Sequence, residues 1–148
     1  MKNQRGYFGI GIYQPKVVEN VGGLWRTAYC FGANFIFTIG CRYKKQPDDT
    51  PRVSRHTPLF SLDTVEDFKK FIPEDCQLIC IERCLKTIKL KNFIHPERAI
   101  YLLGSEDHGI PEDIISINPV ISIPTKICLN VAITGSIILY DRKFKSNS

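Results

Sequence analysis

Ile121-Ser122-Ile123-Pro124-Thr125-Lys126-Ile127-Cys128-Leu129-Asn130-Val131-Ala132-Ile133-Thr134-Gly135-Ser136-Ile137-Ile138-Leu139-Tyr140 is the last long apolar stretch of the chain, and it reads as three units. Residues 120–123 are β-branched and form a short strand, stopped by Pro124, which has no N–H to give to a ladder. Residues 125–128 make a polar turn. A helix follows from Leu129. Its apolar residues (Val131, Ile133, Ile137, Ile138 and Tyr140) are too many for one stripe, so burial on most sides is expected. Such a helix has unpaired backbone N–H groups at its start. Asn130 stands there, and a ligand site is expected beside it.

The rest of the chain repeats the same alternation. Tyr7-Phe8-Gly9-Ile10-Gly11-Ile12-Tyr13 is a strand whose glycines suggest the close approach of another backbone or a ligand. Residues 20–32 read as a helix, with Asn20 suited to the N-cap, Gly32 to the left-handed stop, and Arg26 inside an otherwise apolar segment. Phe35-Ile36-Phe37-Thr38-Ile39 is an unbroken apolar run of the kind found in central strands. Residues 41–58 carry Arg42, Lys44, Lys45, Arg52, Arg55 and His56, are broken by Pro47, Pro51 and Pro58, and read as one long loop without a core pattern. Residues 64–72 form a short amphipathic helix and residues 77–81 a strand with Glu82 at its end. Residues 85–95 are basic and amphipathic without a clear assignment. Residues 99–103 are a buried strand, residues 104–110 a turn, and Pro111 opens a short helix. The tail, residues 141–148, is expected to fray. The alternation predicts a single α/β domain over residues 1–148, with a mainly parallel sheet covered by helices on both faces.

Composition narrows the class. The chain has 148 residues, 43% of them hydrophobic and 24% charged, with a formal net charge of +5, a mild sign of a polyanionic partner. No apolar run nears the roughly 20 residues of a membrane span. The start, residues 1–6, precedes too short and too aromatic a run for a signal peptide. A cytoplasmic protein with six reduced cysteines is therefore expected. Cys76, Cys80 and Cys84 are evenly spaced, but no histidine or second cysteine pair accompanies them. On a strand they share one face as small hydrophobes, and no metal is expected.

Ligands of parallel sheets gather outside the carboxyl ends of the strands. Three turns lie at such ends: residues 14–20, 104–110 and 124–130. Their polar residues, with Arg26 of the adjoining helix, are Asn20, Ser105, Glu106, Asp107, His108, Cys128 and Asn130. Taken singly, each has a structural role open to it. Asn20 and Asn130 suit helix caps, and Arg26 suits an ion pair with Glu106 or Glu82. The glycines of residues 104–109 match neither dinucleotide nor Walker signatures, and no Gly-x-Ser-x-Gly elbow is present. The chemistry is expected to be metal-free and to depend on a small-molecule co-substrate.

Together the three turns resemble a known family. Asn20-Val21-Gly22-Gly23-Leu24-Trp25-Arg26, with Phe31-Gly32 after it, resembles the first motif of the SpoU (TrmH-like) branch of the SPOUT RNA methyltransferases. Leu103-Gly104-Ser105-Glu106-Asp107-His108-Gly109-Ile110 resembles the second motif. Ile123-Pro124 with Cys128-Leu129-Asn130-Val131-Ala132 resembles the third. The resemblance implies a trefoil-type α/β knot with the C-terminal helix tucked through a loop, an exception to the rule against threading. It also implies a homodimer that binds S-adenosyl-L-methionine in the knot and methylates the ribose 2′-hydroxyl of tRNA or rRNA. By position, Leu103, Gly104, Ile123 and Leu129 would line the cofactor pocket, and Ile81 and Glu82 would close one side. Arg26 would be the catalytic arginine, and Asn20, Glu106 and Asn130 would shape the site. The family usually has serine where this chain has Cys128, whose thiol is a weaker donor. A catalytically weak RNA-binding relative is therefore the alternative reading. Arg42, Lys44, Lys45, Arg52 and Arg55 would form an RNA clamp.

Overall fold

The structure is a computed structural model that describes residues 6–46, 51–83 and 86–146. Its core is a seven-stranded sheet. The strands are β1 (Tyr7–Tyr13), β2 (Phe35–Ile39), β3 (Leu59–Leu62), β4 (Gln77–Ile81), β5 (Ile88–Lys89), β6 (Arg98–Leu103) and β7 (Val120–Ser122). The spatial order is β3-β2-β1-β6-β4-β7-β5, and every pairing is parallel. Parallel neighbours need crossovers, so the connections carry helices: α1 (Val18–Cys30), α2 (Pro51–His56), α3 (Val65–Phe71), α4 (Glu112–Ile115) and α5 (Val131–Ser146).

Both faces of the sheet are covered, which is why its strands read as unbroken apolar runs. Ala99, Tyr101 and Leu103 of β6 point to one face, with Leu24 and Ala28 of α1 and Ile138 of α5. Ile100 and Leu102 point to the other, with Phe68 of α3 and Ile114 of α4. The strand glycines reflect the packing of β2 against β1. A Cβ on Gly9 would lie 2.3 Å from the Phe35 ring, and one on Gly11 would lie 2.4 Å from both the Phe37 ring and its carbonyl oxygen. The close approach is thus made by aromatic neighbours and backbone.

Four expectations need correction. Residues 41–58 are not a loop throughout, because they contain α2, and β3 follows at once. A proline is tolerated in the first turn of a helix, so Pro51 does not break α2. The helix is held by two buried residues, Val53 and Thr57, and by the Trp25 indole N–H, which donates to the Thr57 carbonyl at 2.7 Å. Val53 and Thr57 alone are too sparse a pattern to read. Edge strand β3 is half exposed and shows no alternation. Asn20 is not the cap of α1. The helix starts at Val18 after Val17, and Asn20 is buried in its first turn. Gly32, at φ +79°, does stop the helix in the left-handed region.

Helix α5 is less buried than its apolar count suggests. It turns Val131, Gly135, Ile138 and Leu139 inward and leaves Ile133, Tyr140 and Phe144 exposed. Its tail, over the described residues 141–146, does not fray. Arg142 is buried and donates to the Pro96 carbonyl (2.7 Å), the Glu97 carbonyl (3.0 Å) and the Tyr101 hydroxyl (3.0 Å). Asp141 meets His95 Nε2 at 2.7 Å, and Lys145 donates to the Phe93 carbonyl at 2.9 Å. These charged residues read as solvated in sequence because their carbonyl partners lie some 40–55 residues upstream.

Residues 85–95 resolve into β5 and a 3-10 turn at Leu90–Asn92. Cys80 is buried in β4 and Cys76 is half-buried just before it, so they do serve as small hydrophobes. Burial pushes the Cys76 thiol up from its ordinary range. Cys84, Leu85, Pro47 and the segments 1–5 and 147–148 lie outside the described residues. Among the described residues, no three His, Cys, Asp or Glu side chains gather as a metal site, and no helix is long and apolar enough to cross a membrane.

Candidate active site

The carboxyl ends of β4, β6 and β7 close around a cavity of about 150 Å³. Strand β4 delivers Ile81, Glu82 and Arg83. Strand β6 delivers Leu103 and the turn Gly104, Ser105 and Glu106. Strand β7 leads to Ser122, Ile123, Thr125, Cys128 and Leu129, and α5 adds Val131 and Thr134. One wall is therefore apolar, and hydroxyls and two carboxylates are set around it.

Glu82 organises the second turn. Its Oε2 accepts the Ile110 N–H at 2.8 Å. The turn folds closely around this carboxylate, since a Cβ on Gly104 would lie 2.8 Å from Oε2 and one on Gly109 3.0 Å. Gly109 also needs its φ of +63°. The Ser105 hydroxyl accepts the His108 N–H at 3.1 Å, and Ser105 and Gly109 pair across the turn. Asp107 pairs with Lys16 at 2.8 Å, tying this turn to the β1–α1 connection, and the hydrogen bond from Lys16 holds its carboxyl below the usual range.

Asn130 caps α5. Its Oδ1 accepts the N–H groups of Ala132 (2.9 Å) and Ile133 (3.2 Å), as expected of an N-cap. Its Nδ2 donates to Asn20 Oδ1 at 2.8 Å, across 110 residues of chain. The two asparagines thus lock α1 to α5 next to Leu129 on the cavity wall. A second lock lies further along, where Ser136 donates to the Thr27 hydroxyl at 3.1 Å.

The cavity therefore gathers Ile81, Glu82, Leu103, Gly104, Glu106, Ile123, Cys128 and Leu129, drawn from stretches far apart in sequence. Asn20 and Asn130 sit behind the wall and do not line it. Arg26 is neither on the wall nor in an ion pair with Glu82 or Glu106. It is exposed on α1, one turn from Gly23, and has no hydrogen bond or ion pair among the described residues. The cavity also takes Arg83, Ser122, Thr125, Val131 and Thr134, which the sequence does not single out as cavity-lining residues. Arg83 Nη1 reaches Cys128 Sγ at 3.7 Å. Only the rule that strand ends carry sites could have flagged it. Arg42, Lys44, Lys45, Arg52 and Arg55 are all exposed, and none of them lines the cavity. Arg42 is spent on Asp63 (3.1 and 3.2 Å), and Lys45 donates to Ser54 (3.2 Å).

A parallel sheet covered on both faces, with one cavity drawn from three strand ends, defines an α/β ligand-binding domain. The chain belongs to the SpoU rRNA methylase family, whose model matches residues 8–140. Solved structures share the fold. A protein described in work on the 2-OH methylation of C/U34 on tRNA superposes with a TM-score of 0.80 at 21% identity, covering 97% of this chain and 98% of that one. The A. aeolicus TrmH/SpoU tRNA modifying enzyme gives 0.82 at 17% identity, over 97% and 80%. The AdoMet-bound rRNA methyltransferase from Sinorhizobium meliloti gives 0.77 at 19% identity, over 98% of this chain but 59% of its own. No curated protein sequence matches the chain significantly.

Proposed function

We propose that this member of the family is an S-adenosyl-L-methionine-dependent RNA methyltransferase acting on a ribose 2′-hydroxyl. The observation that carries the reading is the convergence of all three motif turns on one cavity, or on the asparagine pair behind it. The cavity residues suit the methyl donor. Ile81, Leu103, Ile123 and Leu129 offer an apolar wall for a flat purine, and the carboxylates of Glu82 and Glu106 complement a cationic sulfonium. When bound, the donor supplies an electrophilic methyl group. The protein must align it and activate a hydroxyl.

Arg26 serves that second task in our reading. A guanidinium stays protonated at ordinary pH, so it is no base. Exposed, and unpaired among the described residues, it binds an RNA phosphate and stabilises the developing alkoxide electrostatically. Arg26→Lys keeps the charge and loses the planar fork. Wild-type turnover of that variant on RNA would remove this role. Cys128 lines the cavity where the family usually has serine. Turnover of Cys128→Ser decides whether a hydroxyl assists there: a rise supports assistance, and no change assigns the position to packing.

A homodimer is supported by the exposed aromatic face of α5, where Tyr140 and Phe144 stack at 6.3 Å and Phe31 of α1 meets Tyr140 edge-on at 6.2 Å. Sedimentation at a single-subunit mass would remove it. Threading of α5 through a loop of the preceding segments is supported by the family. An experimental trace with α5 lying outside that loop would refute it.

A further inference from the structure

The Tyr29 and His56 rings stack at 5.9 Å, with an interplanar angle of 27°, where α1 packs beside α2. Tyr29 is half-buried and packs against the core, whereas His56 is exposed, so the ring covering Tyr29 still meets solvent. Arginines flank both rings in sequence. Arg26 lies three residues before Tyr29 on α1, and Arg52 lies four before His56 on α2, so each shares a helix face with its ring. Arg55 neighbours His56. All three arginines are exposed, and none pairs with an acid among the described residues. Asp48 and Asp49, the acids nearest in sequence, lie outside those residues.

We propose that this stack, with Arg52 and Arg55, is a docking platform for an unpaired RNA base and its flanking phosphates, separate from the cavity. The proposal rests on the RNA reading above. Bases stack on aromatic rings and guanidinium planes whatever their sequence, and phosphates pair with the arginine fork. A surface serving solubility alone would mix charge signs. The residues described in α2 carry Arg52, Arg55 and His56 with no acid, and the helix turns its one aliphatic side chain, Val53, inward. That leaves no apolar wedge for a membrane. The platform lies within reach of the cavity. Asn20 and Tyr29 are nine residues apart on one helix, roughly 14 Å along its axis. One RNA strand therefore runs from the cavity mouth to the rings, with Arg26 between them.

The test compares binding of a fluorescent single-stranded oligoadenylate with that of an abasic ribose-phosphate oligomer of equal length. Wild type should prefer the oligomer with bases by about fivefold or more, the low end of one stacked base. His56→Ala should abolish that preference and leave the salt dependence unchanged. His56→Phe should restore it. Arg52→Ala should weaken both oligomers alike and reduce the salt slope by about one. An undiminished preference in His56→Ala overturns the platform, as does equal binding of both oligomers by wild type. Should His56→Ala fail to fold, loss of the preference in folded His56→Phe overturns it as well. Failure of wild type to bind bulk tRNA or either oligomer would instead remove the RNA reading itself.

Discussion

Replacing Asn130 by alanine removes three hydrogen bonds at once: two cap bonds to the N–H groups of Ala132 and Ile133, and the bond to Asn20. Loss of the cap costs about 1 kcal/mol. Loss of the third bond strands Asn20 Oδ1 at a residue only 9% exposed, which adds about 1–3 kcal/mol. The expected total is therefore roughly 2–4 kcal/mol, or about 5–15 °C in Tm for a chain of this size. Asn130→Ser keeps a capping oxygen and loses only the bond to Asn20, so it separates the two contributions. Urea unfolding followed by Trp25 fluorescence measures both, provided the m-value is unchanged. The decisive quantity is the cycle of Asn20→Ala, Asn130→Ala and the double variant. Each single change orphans the other amide, whereas the double change orphans neither. The double variant should therefore lose about 1 kcal/mol less than the two singles predict. Additivity within roughly 0.3 kcal/mol would refute the claim that these side chains lock α1 to α5.

Three further outcomes follow from the packing. Arg142→Met should cost about 1–3 kcal/mol in urea unfolding, because it strands the Pro96 carbonyl, whereas the Glu97 carbonyl keeps the Tyr7 N–H and the Tyr101 hydroxyl keeps His95; a loss under about 0.5 kcal/mol would mean the tail is not anchored there. Burial holds His95 neutral in the folded chain, its pKa pushed below the ordinary 6.5 despite the opposing Asp141 and with help from Arg142 and Lys145. Neutral His95 can then donate from Nε2 to Asp141 and accept the Tyr101 hydroxyl at Nδ1. The unfolded chain takes up that proton near pH 6.5, so this contribution is complete above that value and is lost as pH falls toward the folded pKa. Unfolding midpoints from pH 7.5 to 5 should show the fall, and His95→Gln should flatten it. Gly11→Ala should destabilise by about 3 kcal/mol or leave the protein insoluble, since the Phe37 carbonyl cannot move aside as a flexible side chain would; a midpoint near wild type would contradict the tight β1–β2 packing.

What the sequence could show followed from which interactions are local. The bounds of strands β1, β2 and β4 are legible to the residue because both their faces are buried, so each short apolar run stands out between turn residues. Thr64 was legible as the start of α3, since its hydroxyl accepts the Asp67 N–H three residues on. Helix α2 was not, because its stability comes from the Trp25 bond to Thr57 and from a single buried valine, both long-range. The same holds for Arg142, whose acceptors lie on another connection. Within the site, the motif residues could be named but not assigned their work. Nothing local to Glu82 says that its carboxylate fills the space left by Gly104 and Gly109, and nothing local to Asn20 says that its partner is Asn130.

The most direct measurement is methyl transfer from tritium-labelled S-adenosyl-L-methionine into bulk RNA, followed by nucleoside analysis, for wild type and for Leu129→Arg, which places a bulky cation in the cavity wall. Label is expected in 2′-O-methylated nucleosides with wild type and none with the variant, although the variant should unfold near the wild-type midpoint because Leu129 is only partly buried. Label confined to the bases, or equal transfer by a folded Leu129→Arg protein, would contradict the proposed function.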